Sequence, residues 1–96
     1  MAAVRWTERA RDDLREIFDF IARDSPRAAE AQRQRFFHAT KRLAAFPESG
    51  RRVPELPTTP YRELLVANYR LLYRIEDPIV WITAVVHARR LLISPP

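Results

Sequence analysis

Residues 61–75 read YRELLVANYRLLYRI, two apolar runs parted by Ala67-Asn68. Each run is short and rich in Leu, Val, Tyr and Ile. The two-residue gap fits a β-hairpin better than any helix. Alternation sets the faces of the second run: Tyr69, Leu71, Tyr73 and Ile75 share one side, Arg70, Leu72, Arg74 and Glu76 the other. Arginine is rarely buried without a partner. The apolar side therefore belongs to the core, and Arg70 and Arg74 are expected on a sheet face left open to solvent. Arg62 is ambiguous, because its alternation partners Leu64 and Val66 are apolar.

Working outward, residues 79–88 form a third β-like run beyond Asp77-Pro78. Here Val80, Ile82, Ala84, Val86 and Ala88 would make one wholly apolar face, leaving Trp81, Thr83, Val85, His87 and Arg89 opposite. On that count Arg70, Arg74, Trp81, His87 and Arg89 gather on one uncovered surface. A carboxylate such as Glu63 or Glu76 could neutralise Arg74 by cross-strand pairing. Upstream, FPESGRRVPELPTTP (46–60) holds four of the eight prolines and the sole glycine. It reads as a loop with one short extended piece around Arg52 and Val53.

The N-terminal half is helical. Ala10, Leu14, Ile17, Phe18 and Ile21 recur at helical spacing over residues 8–23, with Thr7 as N-cap. Ser25 and Pro26 stop that helix and start the next, since proline suits the first helical position. The second helix carries Ala29, Phe36, Phe37, Thr40, Leu43 and Ala44 toward the core and ends before Pro47. Trp6, Phe18, Phe36 and Phe46 read as core aromatics, and AVRWT at the start as a strand. The expected fold is α+β, in the order β-α-α-β-β-β, with a helical hairpin packed on one face of a small antiparallel sheet. One domain over residues 1–96 is expected.

Composition narrows the function. The net charge is +5, and Lys41 is the only lysine among seventeen basic residues. Guanidinium forks match phosphate and carboxylate geometry, so nucleic acid or an acidic protein is the natural partner. No cysteine is present, and His38 and His87 are the only histidines; no metal or other cofactor is expected. No run is long and apolar enough to cross a bilayer, and the charged N-terminus does not read as a secretory leader, so the expected location is cytoplasmic.

The segments WTERARDDLREIFDFIA, DSPRAA, LAAFPESGRRVPEL, YRELLVANYRLLYRI and VVHARRL, in that order, resemble the RelE/ParE superfamily of toxins from type II toxin–antitoxin pairs. The resemblance spans nearly the whole chain and implies a growth-inhibiting protein neutralised by a cognate antitoxin. An acidic antitoxin segment would order on this basic domain. Two activities occur in the superfamily. ParE-type members inhibit DNA gyrase and have no assigned catalytic residues. The HARR segment and the Arg-bearing loop favour that type, with Arg70, Arg74, Trp81, Arg89 and Arg90 contacting the target. RelE-type members cleave mRNA on the ribosome. In that alternative Arg62 stands where the family has a catalytic lysine, while Arg70 and Arg89 stand where it has arginines. The three cations would stabilise phosphate charge in the transition state. The RelE-type C-terminal tyrosine is missing, with Pro95 near its place, and a second lysine is replaced by Leu64. His87 would then have to serve as base. A third alternative is an inactive remnant kept as a binding module.

Overall fold

The computed structural model describes residues 1–96. Its order is β1 (Ala3–Trp6), α1 (Glu8–Asp24), α2 (Pro26–Ala45), a 3-10 turn (Pro47–Ser49), β2 (Arg51–Arg52), β3 (Arg62–Val66), β4 (Tyr69–Glu76) and β5 (Ile79–His87). The strands form one sheet in the order β1-β5-β4-β3-β2. β2 to β5 pair antiparallel, but β1 runs parallel to β5, with Val4 beside Val80 and Trp6 beside Ile82. The sheet is therefore mixed, not antiparallel throughout. The crossover from β1 through both helices makes this possible, because parallel neighbours need a long connection.

Both expected caps form. The Thr7 hydroxyl accepts from the Ala10 amide at 3.2 Å and donates to the Thr83 carbonyl at 3.1 Å, tying the start of α1 to β5. Ser25 ends α1 with its amide on the Ile21 carbonyl and begins α2 by accepting from the Ala28 amide at 3.0 Å. One residue thus makes the whole helix–helix joint. In α2 the buried positions are Ala29, Gln32, Phe36, Ala39 and Leu43, a regular alternation of three and four residues. Phe37, expected in the core, falls between those steps and stays 53% exposed, with the Lys41 ammonium 4.7 Å over its ring. Phe46 is 68% exposed, because the chain leaves the helix there before any strand can cover it.

Two apolar clusters lie on opposite faces of the sheet. The larger joins Ala10, Phe36, Ala39 and Leu43 of the helices to Leu64, Val66, Leu71, Tyr73, Val80, Ile82 and Val85. The smaller joins Val53, Leu56 and Leu92 to Leu72, Ala84 and Val86. One strand, β5, feeds both. Leu72 pairs with Ala84, but the next residue, Tyr73, pairs with Ile82, so Thr83 is an extra residue: a β-bulge. Before it, Val80 and Ile82 point at the helices; after it, Ala84 and Val86 point away. The expected single apolar face from Val80 to Ala88 is corrected here, since regular alternation cannot foresee an inserted residue.

Gly50 is the only glycine because of a close approach. Its amide donates to the Tyr73 hydroxyl at 2.9 Å, and that hydroxyl donates to the Pro47 carbonyl at 2.8 Å. A Cβ on residue 50 would lie 2.5 Å from the Glu63 carbonyl and 2.6 Å from the Tyr73 hydroxyl, so no larger residue fits without displacing backbone.

Candidate functional site

The face away from the helices was expected to be open. Over β3 and β4 it is covered. The loop carrying Val53 to Leu56 lies across it and the C-terminal segment returns with Leu92 buried, sealing Arg70 to 4% exposure. Arg70 does point away from the helices, as alternation requires, but into this second interior.

Burying a guanidinium demands partners, and Arg70 has a full set. Its Nε donates to Glu63 Oε1 at 2.7 Å. Nη1 donates to Glu55 Oε2 at 2.6 Å and to the Arg90 carbonyl at 2.7 Å. Nη2 donates to Glu55 Oε1 at 2.8 Å and lies 2.6 Å from Glu63 Oε1. Every guanidinium nitrogen is thereby engaged, leaving no free fork for a phosphate. The cluster extends further. Glu55 Oε2 also accepts from the Leu92 amide at 3.1 Å, and Glu63, whose side chain is wholly buried, accepts from Arg51 Nε at 2.6 Å. Hydrogen bonding from Arg70 outweighs desolvation and lowers the Glu55 pKa to about 2. The same bond to Glu55 raises the pKa of Arg70 against its burial. Loop, sheet and C-terminal segment are thus fastened at one point.

The other expected site residues do not converge there. Arg62 pairs with Tyr73 and so lies on the helix side of the sheet, where its Nη1 donates to the Gly50 carbonyl at 2.9 Å. His87 pairs with Tyr69, their rings edge-to-face at 5.9 Å. It too is on the helix side, because the bulge reverses its parity. There it lines an open groove of about 650 Å³ with Asp12, Asp13 and Glu16 of α1 and with Arg90. Arg89 is exposed beyond the end of β5, its amide on His87 Nδ1 at 3.2 Å. The expected single surface holding Arg70, Arg74, Trp81, His87 and Arg89 is therefore divided among three places. No convergence of Arg62, Arg70 and Arg89 on one phosphate exists in this geometry.

What stays uncovered is narrower. Arg5 pairs with Trp81, and Trp81 pairs with Arg74, so an Arg-Trp-Arg row crosses β1, β5 and β4 on the face away from the helices. Arg74 Nε bonds Glu76 Oε1 at 2.7 Å, the neutralisation considered from the sequence. Arg5 was missed, although strand alternation in AVRWT could have placed it. Glu55 was missed as well, and no local signal in the loop marks it as Arg70's main partner. No three His, Asp or Glu side chains gather as a metal-holding group.

Over residues 4–92 the sequence matches the family described as the ParE toxin of the type II toxin–antitoxin system parDE. The chain belongs to the ParE toxin family. It is 42% identical over 92 residues to "Toxin RelE2" of Caulobacter vibrioides, covering 95% of this chain and all of that protein. It is 38% identical over 89 residues to "Putative toxin Y4kP" of Sinorhizobium fredii, covering 91% and 88% respectively. Its fold matches a solved structure described as "Chromosomal ParDE TA system from P. aeruginosa", with a TM-score of 0.73 at 21% identity over 93% of this chain and 98% of that one. This ParE-family protein is thus the toxin of a type II toxin–antitoxin module, and an antitoxin is its protein partner. None of its helices is long and apolar enough to cross a membrane.

Proposed function

We propose that this toxin acts in the cytoplasm by binding DNA gyrase and blocking it, without cutting RNA. The observation that carries this reading is the saturation of Arg70. A guanidinium held by Glu55, Glu63 and the Arg90 carbonyl sits in a trio whose summed formal charge is −1. Such a group repels a phosphodiester instead of stabilising it. Arg62 and His87 lie across the sheet from it, so the groups required for RNA cleavage are not assembled. In this reading Arg70 is a brace, and target contact falls to exposed groups: Arg74 and Trp81, with Arg5 beside them, and Arg89 and Arg90 past β5.

The test is a pair of assays on purified toxin. Inhibition of gyrase-catalysed supercoiling, with no cleavage of ribosome-bound mRNA, is the expected outcome. Specific mRNA cuts without any effect on supercoiling would overturn the proposal.

A further inference from the structure

The sheet has an edge that is only half closed. β2 supplies just Arg51 and Arg52, which pair with Glu63 and Arg62. Leu64, Leu65 and Val66 have β4 on one side and no strand on the other. The chain cannot fill this gap itself, because it turns into the Pro47–Ser49 3-10 helix just before β2. The slot is about 10 Å long at the usual rise of a strand. Beside it runs a groove of about 340 Å³ lined by Arg35, His38 and Arg42 of α2 together with Leu64–Ala67. An open edge with its backbone groups available is a site for strand addition.

Charge decides the occupant. No carboxylate lines the groove, and neither Arg35 nor Arg42 is in an ion pair: Arg35 donates to Gln32 Oε1 at 3.0 Å, and Arg42 only to the Ser49 carbonyl at 3.5 Å. Arg51, 65% exposed, flanks the slot, and its neighbour Arg52 is exposed. A second copy of this chain would bring the same arginines against these, so the edge disfavours self-pairing. The side chains of the edge alternate. Leu64 and Val66 are buried on the side of α2, whereas Leu65 faces the opposite way and is 64% exposed. A strand laid here would place its own residues in the same alternation.

We infer that the Leu64–Val66 edge accepts an extended acidic segment of the antitoxin as an additional strand. That segment would carry carboxylates on the side facing Arg35, His38 and Arg42, and an apolar residue beside Leu65. The inference rests on membership of the toxin family and adds the place and chemistry of the contact.

The purified complex with the full-length cognate antitoxin tests it, by amide hydrogen exchange of the toxin alone and bound. The amides of residues 64–66 should gain protection at least tenfold on binding. Arg35→Glu with Arg42→Glu, and separately Leu65→Lys, should each weaken the complex at least tenfold while circular dichroism stays native; all three positions are exposed, so the fold is spared. Complex formation with unchanged exchange at 64–66, or full affinity in folded variants, would overturn the docking site while leaving the toxin–antitoxin pairing intact. Protection of the same amides by self-association of the toxin alone would overturn the choice of an acidic partner.

Discussion

On one face of the sheet the cover is two helices of 17 and 20 residues; on the other it is an irregular loop and a few residues of C-terminal segment. The helices bring a continuous apolar stripe, and everything beneath them is hydrocarbon or a hydrogen-bonded tyrosine. The loop brings only Val53 and Leu56, and the C-terminal segment only Leu92. Such a cover is too thin to be held by apolar area alone, at roughly 25 cal/mol for each Å² buried. Here the loop, the C-terminal segment and the sheet meet at one guanidinium. The difference teaches that a buried arginine can do the fastening where a chain has run out of hydrophobic residues, at the risk of a large loss if any partner goes.

That risk gives the largest expected effect. Arg70→Ala leaves Glu63 wholly buried with only Arg51 to meet it, and should cost about 3–5 kcal/mol, a large share of the stability of so small a domain. Chemical denaturation should show the loss directly. The combination Arg70→Met, Glu55→Gln and Glu63→Leu should recover most of it, since an ion cluster replaced by matched neutral side chains is close to neutral in stability. If Arg70→Ala kept its native denaturation midpoint, the brace would be disproved, and with it the contrast between the faces.

Acid should separate the faces next. Glu55 has its pKa depressed from 4.5 to about 2 by Arg70. A depressed carboxylate stabilises the fold fully above its unfolded pKa, and that contribution is lost as pH falls through the folded value. Stability should therefore drop between about pH 4.5 and pH 2 by roughly 1–3 kcal/mol. In Glu55→Gln that part of the pH dependence should vanish, leaving a less stable but flatter curve. Urea midpoints at pH 6 and pH 2.5 measure both. The helix-covered face, which has no such carboxylate in its core, should supply none of this slope.

The smallest effect lies where neither cover matters. Ala67, in the turn between β3 and β4, has a φ of +53°, which costs a residue with a Cβ about 1–2 kcal/mol. Ala67→Gly should therefore stabilise by about 0.5–1 kcal/mol after glycine's own entropic cost is subtracted. A thermal midpoint that fell instead would place the strain elsewhere.

Much of this could be read from the amino acids. Thr7, Ser25 and Pro26 punctuate the helices by local chemistry, and the β3–β4 hairpin follows from two alternating runs with a two-residue gap. The RelE/ParE resemblance led to the right family. The arrangement of the cationic groups could not be read in the same way. Alternation put Arg70 on its correct side, yet says nothing about whether a distant segment covers that side; Glu55 and Leu92 are 15 and 22 positions away. His87 was assigned to the wrong side because a bulge has no reliable sequence signature, and Thr83 is an ordinary strand residue. The pairing of β1 beside β5 was likewise beyond local patterns, since a four-residue strand can join either edge.

The bulge has a consequence for how the chain finds its alignment. Asp13 of α1 accepts a hydrogen bond from the Val85 amide at 3.0 Å, just past the extra residue, and Thr7 holds the Thr83 carbonyl. Because β5 must serve hydrocarbon to opposite sides before and after that point, sliding it by one position would empty both interiors at once. Sliding it by two would carry the irregularity away from the helix groups that hold it. The strand therefore has a single admissible alignment, enforced from outside the sheet by the first helix the chain makes.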